Sequence, residues 1–175
     1  FAAVTVAASS IVRFRQCFKE GTLVATEDGL KPIEEIEVGD KVLAYDEVTG
    51  EQAYKPVVRL FRNKTEAWCE VAVEVNGKTE IITSTPGHKY YLPWNIKNRE
   101  IGLQQEHECY YGLSEKWISA CHLKNGDKVL LSDNKYGIVK SVKIHALKTP
   151  ETTYNFEVAD FHTYYVGEDS VCVHN

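Results

Sequence analysis

The 175-residue sequence has no methionine, only five prolines, and no apolar run approaching the ~20 residues of a membrane-spanning helix. The missing initiator predicts a fragment of a longer chain. The formal charge of −5 comes without any basic run, which argues against nucleic acid as a partner. Residues 1–10 are small and apolar, but no basic segment precedes them, so they read as flank rather than signal peptide. Helix signals are nearly absent, and Ile33–Ile36 and Ala120–Leu123 offer at most single turns. Cysteines are few and odd in number (17, 69, 109, 121 and 172), with no repeated Cys-x-x-Cys spacing. That argues against a disulfide scaffold and leaves a thiol over. A reducing compartment, the cytoplasm, would suit such a thiol while it reacts, even in a host protein that is later secreted.

Short β-type runs separated by turn signals dominate the remainder. Val42–Tyr45, Val57–Phe61, Trp68–Val75, Val129–Leu131, Ile138–Ile144, Tyr154–Val158 and Tyr164–Val166 are rich in β-branched and aromatic residues. Asn76-Gly77 between two such runs predicts a hairpin. The fold class is therefore all-β, and the length suits one domain.

The chain also repeats itself. Leu30 to Leu43 matches Trp117 to Leu130, with apolar residues at 30/117, 33/120 and 36/123 and Gly-Asp-Lys-Val-Leu unchanged. His88-Lys89-Tyr90-Tyr91-Leu92 then matches His162-Thr163-Tyr164-Tyr165-Val166. Duplication explains both pairs better than chance turn chemistry, and two such halves predict a pseudo-two-fold arrangement with equivalent histidines near a common centre. First and last strands lying side by side would bring the two ends of the domain together. Residues 93–116 interrupt the pattern and read as an insertion. With Cys121-His122, His107 and Cys109 of that insertion make a zinc-stabilised structural module a competing reading.

The chemistry is concentrated at the ends. Cys17 stands directly after Gln16, and the sequence closes on Val171-Cys172-Val173-His174-Asn175. The Cys17 thiol can attack the Gln16 carbonyl and turn an amide into a thioester. The Asn175 side-chain amide can attack its own main-chain carbonyl and release any polypeptide attached there. Taken alone, a cysteine is more often a small buried hydrophobe. Between the ends stand Thr85-Pro86-Gly87-His88 and Tyr154-Asn155-Phe156-Glu157-Val158-Ala159-Asp160-Phe161-His162.

Together these four segments resemble, in order and spacing, the Hint superfamily of inteins and hedgehog-type autoprocessing domains. Cys17-x-x-x-Gly21-Thr22 is similar to the opening intein motif, Thr85 and His88 to the Thr-x-x-His motif, and the last two segments to the closing motifs. The resemblance covers residues 17–175 apart from the insertion, leaves 1–16 as an N-terminal flank, and is strongest to bacterial intein-like domains without a homing endonuclease. It implies a horseshoe-like Hint fold and a single-turnover autoprocessing activity without cofactor. An N–S acyl shift at Gln16–Cys17 and cyclisation of Asn175 would splice or cleave the chain. Its partners would be its own flanking polypeptides, and a monomer is expected.

The resemblance implies Cys17 as nucleophile, His88 held by Thr85 as general acid, His162 polarising the Asn175 carbonyl, and His174 assisting the cyclisation. Unnamed backbone N–H groups near His88 would hold the oxyanion. Asp160, Asn155 and Cys172 are candidate modulators. Asn155 stands where efficient splicing relatives carry Asp, which favours cleavage alone as the alternative. Cys172 suggests a reversible Cys17–Cys172 disulfide. Splicing relatives also need Ser, Thr or Cys after the final Asn. A Cys-His peptidase acting on other chains is disfavoured because it gives Asn175 no role, and sterol transfer because it needs no terminal Asn.

Overall fold

The computed structural model describes residues 16–94 and 116–175. The strands are β1 Leu23–Thr26, β2 Gly29–Pro32, β3 Lys41–Tyr45, β4 Gln52–Val75, β5 Lys78–Ser84, β6 Lys89–Tyr91, β7 Trp117–Ser119, β8 Lys128–Leu130, β9 Tyr136–Val158, β10 Thr163–Val166 and β11 Val171–His174. Among the described residues there is no α-helix, only 3₁₀ turns at Ile33–Glu35 and Ala120–His122, where the sequence predicts single turns. The strands form one curled sheet in the order β7-β6-β11-β10-β1-β3-β4-β9-β8, with β2 on β1 and β5 on β4. The fold is the all-β horseshoe expected from the sequence.

Asn76-Gly77 closes the β4–β5 hairpin, pairing Val75 with Lys78, and both turn residues take positive φ (51° and 78°). A type I′ turn requires that conformation, which explains the Asn-Gly choice. The runs at 57–61 and 68–75 belong to one strand, and those at 138–144 and 154–158 to another. β4 and β9 pair antiparallel along nearly their whole length. Their pairing crosses polar segments, with Arg62 opposite Tyr154 and Lys64 opposite Thr152.

The repeat is visible bond for bond. Gly39 N–H donates to Val57 O and Val57 N–H to Asp40 O, while Gly126 N–H donates to Val139 O and Val139 N–H to Asp127 O. Asp40 and Asp127 each accept the main-chain N–H three residues back through Oδ2, at 2.9 and 2.6 Å. Gly39 and Gly126 sit at φ 94° and 92°, where a side chain would be strained. Gly-Asp is thus the corner that turns each 3₁₀ segment into its next strand.

At the centre of the sheet both faces are buried. Tyr164, Val166, Val171 and Val173 enter the main core, while Tyr165 and Cys172, one residue out of phase, enter a second cluster with Tyr91, Trp117 and Leu130. This alternation is the period-two geometry of a strand. β10 lies between β1 and β11. The first and last strands are therefore not adjacent, which corrects the sequence expectation. The two ends of the domain meet instead through side chains.

Candidate functional site

Cys17 is clamped into the fold. Phe18 exchanges main-chain hydrogen bonds with Tyr154 of β9 (2.8 and 2.9 Å), Lys19 N–H donates to Thr83 O, and Thr85 N–H donates to Cys17 O at 2.9 Å. The Phe18 side chain is fully buried in the main core. Burial of a phenylalanine contributes roughly 1.5–3 kcal/mol, enough to anchor its neighbour. Cys17 itself is 1% exposed.

Two side chains grip the Gln16–Cys17 peptide. Its N–H donates to Thr85 Oγ1 at 3.0 Å. Its carbonyl oxygen accepts from Asn155 Nδ2 at 2.6 Å. Asn155 is 3% exposed, and its own Oδ1 accepts from Tyr164 Oη at 2.7 Å and from Phe156 N–H at 2.9 Å. The donor on this carbonyl is a side chain, whereas the sequence predicts backbone N–H groups near His88.

His88 is fully buried, its ring 4.0 Å from that of Phe18 and edge-on to Tyr90. The Pro86-Gly87 turn positions it, with His88 N–H donating to Thr85 O and the 3₁₀ turn after β7 closing over it through Ala120 N–H to His88 O and Cys121 N–H to Pro86 O. Thr85 thus holds His88 through its main chain and accepts the Cys17 N–H at its hydroxyl. His88 Nε2 lies 2.9 Å from His174 O. A carbonyl oxygen only accepts, so Nε2 carries the proton and Nδ1 presents a lone pair. Nδ1 is buried and makes no well-formed hydrogen bond, with the Gln16 main chain near enough to oppose slightly the fall in the ring's pKa. Burial, aided by the nearby His174, pushes the His88 pKa down to about 3, so the ring is neutral at neutral pH.

At the other end, Val173 of β11 pairs with Tyr90 of β6, next to Lys89 and His88. His174 Nδ1 is 2.8 Å from Asn175 O, and the Trp117 ring stands edge-on to the imidazole while its Nε1 donates to Glu47 Oε2 at 2.7 Å. Burial lowers the His174 pKa. Asn175 N–H donates to His162 O at 3.0 Å. With its carboxamide oriented by its partners, Asn175 Nδ2 donates to His162 O at 2.7 Å and Oδ1 accepts from Val158 N–H at 2.9 Å. His162 takes φ 54° and Asp160 φ 63°, and this turn aims the His162 carbonyl at Asn175. The contact of His162 with Asn175 is thus through its carbonyl, and its residue is exposed where its repeat partner His88 is buried.

Asp160, Cys172 and the cysteine and histidine pairs of the competing zinc reading stand as follows. Asp160 is exposed and paired with Lys55 at 3.2 Å, on neither grip described above. Cys172 packs in the second cluster with Tyr91 and Tyr165, and no disulfide joins it to Cys17 in this structure. Cys121 is in a disulfide and offers no thiolate to zinc. His107 and Cys109 lie outside the described residues, as does most of the 93–116 insertion. Among the described residues no cluster of three or more His, Cys, Asp or Glu could hold a metal ion. The sequence alone does not point to Tyr164, Val158 or the Glu47–Trp117 pair, because a strand residue's partner across the sheet leaves no local signal.

The model of the pretoxin HINT domain matches residues 23–101 and 93–175. The solution structure of a bacterial intein-like domain from Clostridium thermocellum is 31% identical and superposes with a TM-score of 0.73 over 92% of this chain and 99% of that one. The DnaB intein of Synechocystis sp. PCC 6803, at 14% identity, shares the fold with a TM-score of 0.68 over 91% of this chain and 97% of its own. Warthog protein 6 of Caenorhabditis elegans is 34% identical over 77 residues, 44% of this chain and only 13% of that protein.

Proposed function

Because the chain belongs to the pretoxin HINT domain family, we propose that it processes its own polypeptide, breaking the Gln16–Cys17 bond and the bond after Asn175. A Hint domain of the intein-like kind acts within its host chain, and autoprocessing in that general sense is a consequence of the family and the fold. The observation that carries the two-site reading is the placement of one buried imidazole, His88, with Nε2 on the carbonyl of His174 and its ring against Phe18, the residue after Cys17.

At the first bond, the Cys17 sulfur attacks the Gln16 carbonyl carbon. Neutral His88 has no proton of its own to spare at Nδ1, so it takes the thiol proton there and gives it to the leaving Cys17 nitrogen. A C–S bond forms, the C–N bond breaks, and the proton moves from sulfur to nitrogen. Thr85 Oγ1, on that N–H, fixes the orientation of the nitrogen.

At the second bond, Asn175 Nδ2 attacks its own carbonyl carbon; the new C–N bond closes a succinimide, the bond to the next residue breaks, and the proton lost by Nδ2 ends on the departing amine. Val158 N–H on Oδ1 and His162 O on Nδ2 hold the carboxamide for that attack. His174, against Asn175 O, polarises the carbonyl under attack.

The test places the domain between two distinguishable flanking proteins with Ser or Thr after Asn175, and tracks products by mass alongside Cys17→Ala and Asn175→Ala. Joined flanks establish splicing; separated flanks establish cleavage alone. Intact chains in the presence of added thiol overturn the reading.

A further inference from the structure

The amide at position 155 reads, from sequence, as the loss of a useful carboxylate; its contacts give it a different meaning. We propose that Asn155 is a catalytic residue of the first step, its Nδ2–H serving as the donor that holds the negative charge developing on the Gln16 oxygen. Tyr164 is the positioning residue that aims it. The inference rests on the reading of Gln16–Cys17 as a reacting bond.

The geometry leaves the carboxamide no freedom. Asn155 Oδ1 faces two donors, the Tyr164 hydroxyl and the Phe156 N–H. Turning the amide over would set two donors against an NH₂ group and two oxygens against each other. Nδ2 is therefore the atom that meets Gln16 O, at 2.6 Å. Tyr164 is wholly buried, and its phenol stays protonated, so it remains a donor.

Strand register supplies the placement. Tyr154 holds Phe18 by its main chain, and the next residue of β9 turns its side chain to the carbonyl two positions before Phe18. An Asp in the same place would set a carboxylate oxygen against the Gln16 oxygen, repelling the charge that the attack creates. When sulfur adds to the carbonyl carbon, the electron pair of the C=O moves to the oxygen held by Nδ2. Collapse then returns it and expels the Cys17 nitrogen with the proton that His88 carries. A preorganised donor of this kind, in a site closed to water, is typically worth about 10²–10³ in rate.

The experiment measures thiol-induced cleavage at Gln16–Cys17 in an Asn175→Ala background, and cleavage after Asn175 in a Cys17→Ala background, for the parent, Asn155→Ala, Asn155→Asp and Tyr164→Phe. Asn155→Ala should slow the first by about 10²–10³ and leave the second unchanged. Asn155→Asp should be as slow at neutral pH and recover relative to the parent as the pH falls, because a protonated carboxyl donates again. Tyr164→Phe should lie between the parent and Asn155→Ala. A readout independent of turnover uses ¹³C-carbonyl glutamine with ¹⁵N-alanine in Cys17→Ala. Only Gln16 and Gln52 then precede an alanine, so Gln52 is the internal reference. The Gln16 carbonyl resonance should move upfield when Asn155→Ala is added, and the Gln52 resonance should not.

If the parent cleaves while Asn155→Ala and Asn155→Asp cleave equally fast and the Gln16 resonance stays in place, Asn155 has no such role and the processing reading survives. If the parent itself does not cleave with thiol, the processing reading falls and takes the catalytic role with it.

Discussion

His88 makes the most demanding prediction, because its burial ties chemistry to acid stability. Its pKa lies near 3 in the fold, against about 6.5 in an unfolded chain. The charged form is the disfavoured one, so below pH 6.5 the unfolded chain binds the extra proton and the folded chain does not. The stability this histidine preserves is therefore complete above pH 6.5 and is lost as the pH falls toward 3. The loss approaches about 1.4 kcal/mol per pH unit well below pH 6.5, and comes to about 2 kcal/mol between pH 6.5 and 4.5, because the unfolded histidine is only half-protonated at the upper limit. Against a typical total of about 5–15 kcal/mol, that is a large share.

The assay is urea denaturation at the two pH values, monitored by tryptophan fluorescence, in an unreactive Cys17→Ala/Asn175→Ala background. His88→Asn should be less stable at both pH values, yet the difference between them should shrink by about 2 kcal/mol. His174, shifted in the same direction, is present in both proteins and cancels. In the reactive background, His88→Asn should also lose about 10²–10⁴ in cleavage at Gln16–Cys17. An unchanged pH difference would refute the neutral, buried imidazole and the proton route built on it.

Thr85→Val removes the hydroxyl that accepts the Cys17 N–H, and should cost about 1–3 kcal/mol in chemical denaturation. It should also slow thiol-induced cleavage about tenfold. Cys172→Ala should leave thiol-induced cleavage, and its sensitivity to oxidant, unchanged, because Cys172 is buried in the second cluster and no disulfide joins it to Cys17. Gly137→Ala would bring a Cβ to 2.6 Å from Val73 Cγ1 and 3.2 Å from Val75 Cγ2. That overpacking should destabilise by about 1–3 kcal/mol, seen as a fall in Tm of roughly 3–10 °C.

The sequence discloses the strands whose residues are β-branched or aromatic and whose ends carry Gly or Asn. The Asn76-Gly77 hairpin is where the sequence places it, and the duplicated Gly-Asp corners are two copies of one hydrogen-bonded turn. It does not disclose that β4 and β9 run unbroken through polar stretches. Residues 62–66 alternate no apolar face, and their strand character comes from pairing with 151–154 rather than from local preference. Cys17 and Asn175 stand out in the sequence only in company with the Thr85–His88 and Tyr154–His162 segments between them, since a cysteine alone is more often a small buried hydrophobe. The contact of Asn155 is not legible in the sequence for a physical reason: it depends on which amide atom faces Gln16, and Tyr164, nine residues away, decides that.

The bridge through His88 also has a meaning for whatever protein surrounds this one. Under the proposed processing, a chain entering at Gln16 and leaving after Asn175 would do so at two points bridged by a single side chain, close together in the fold. Closely placed entry and exit are what let a domain sit inside another fold without prying it open. A host carrying such an insert in a loop would then need no rearrangement of its own fold to accommodate it.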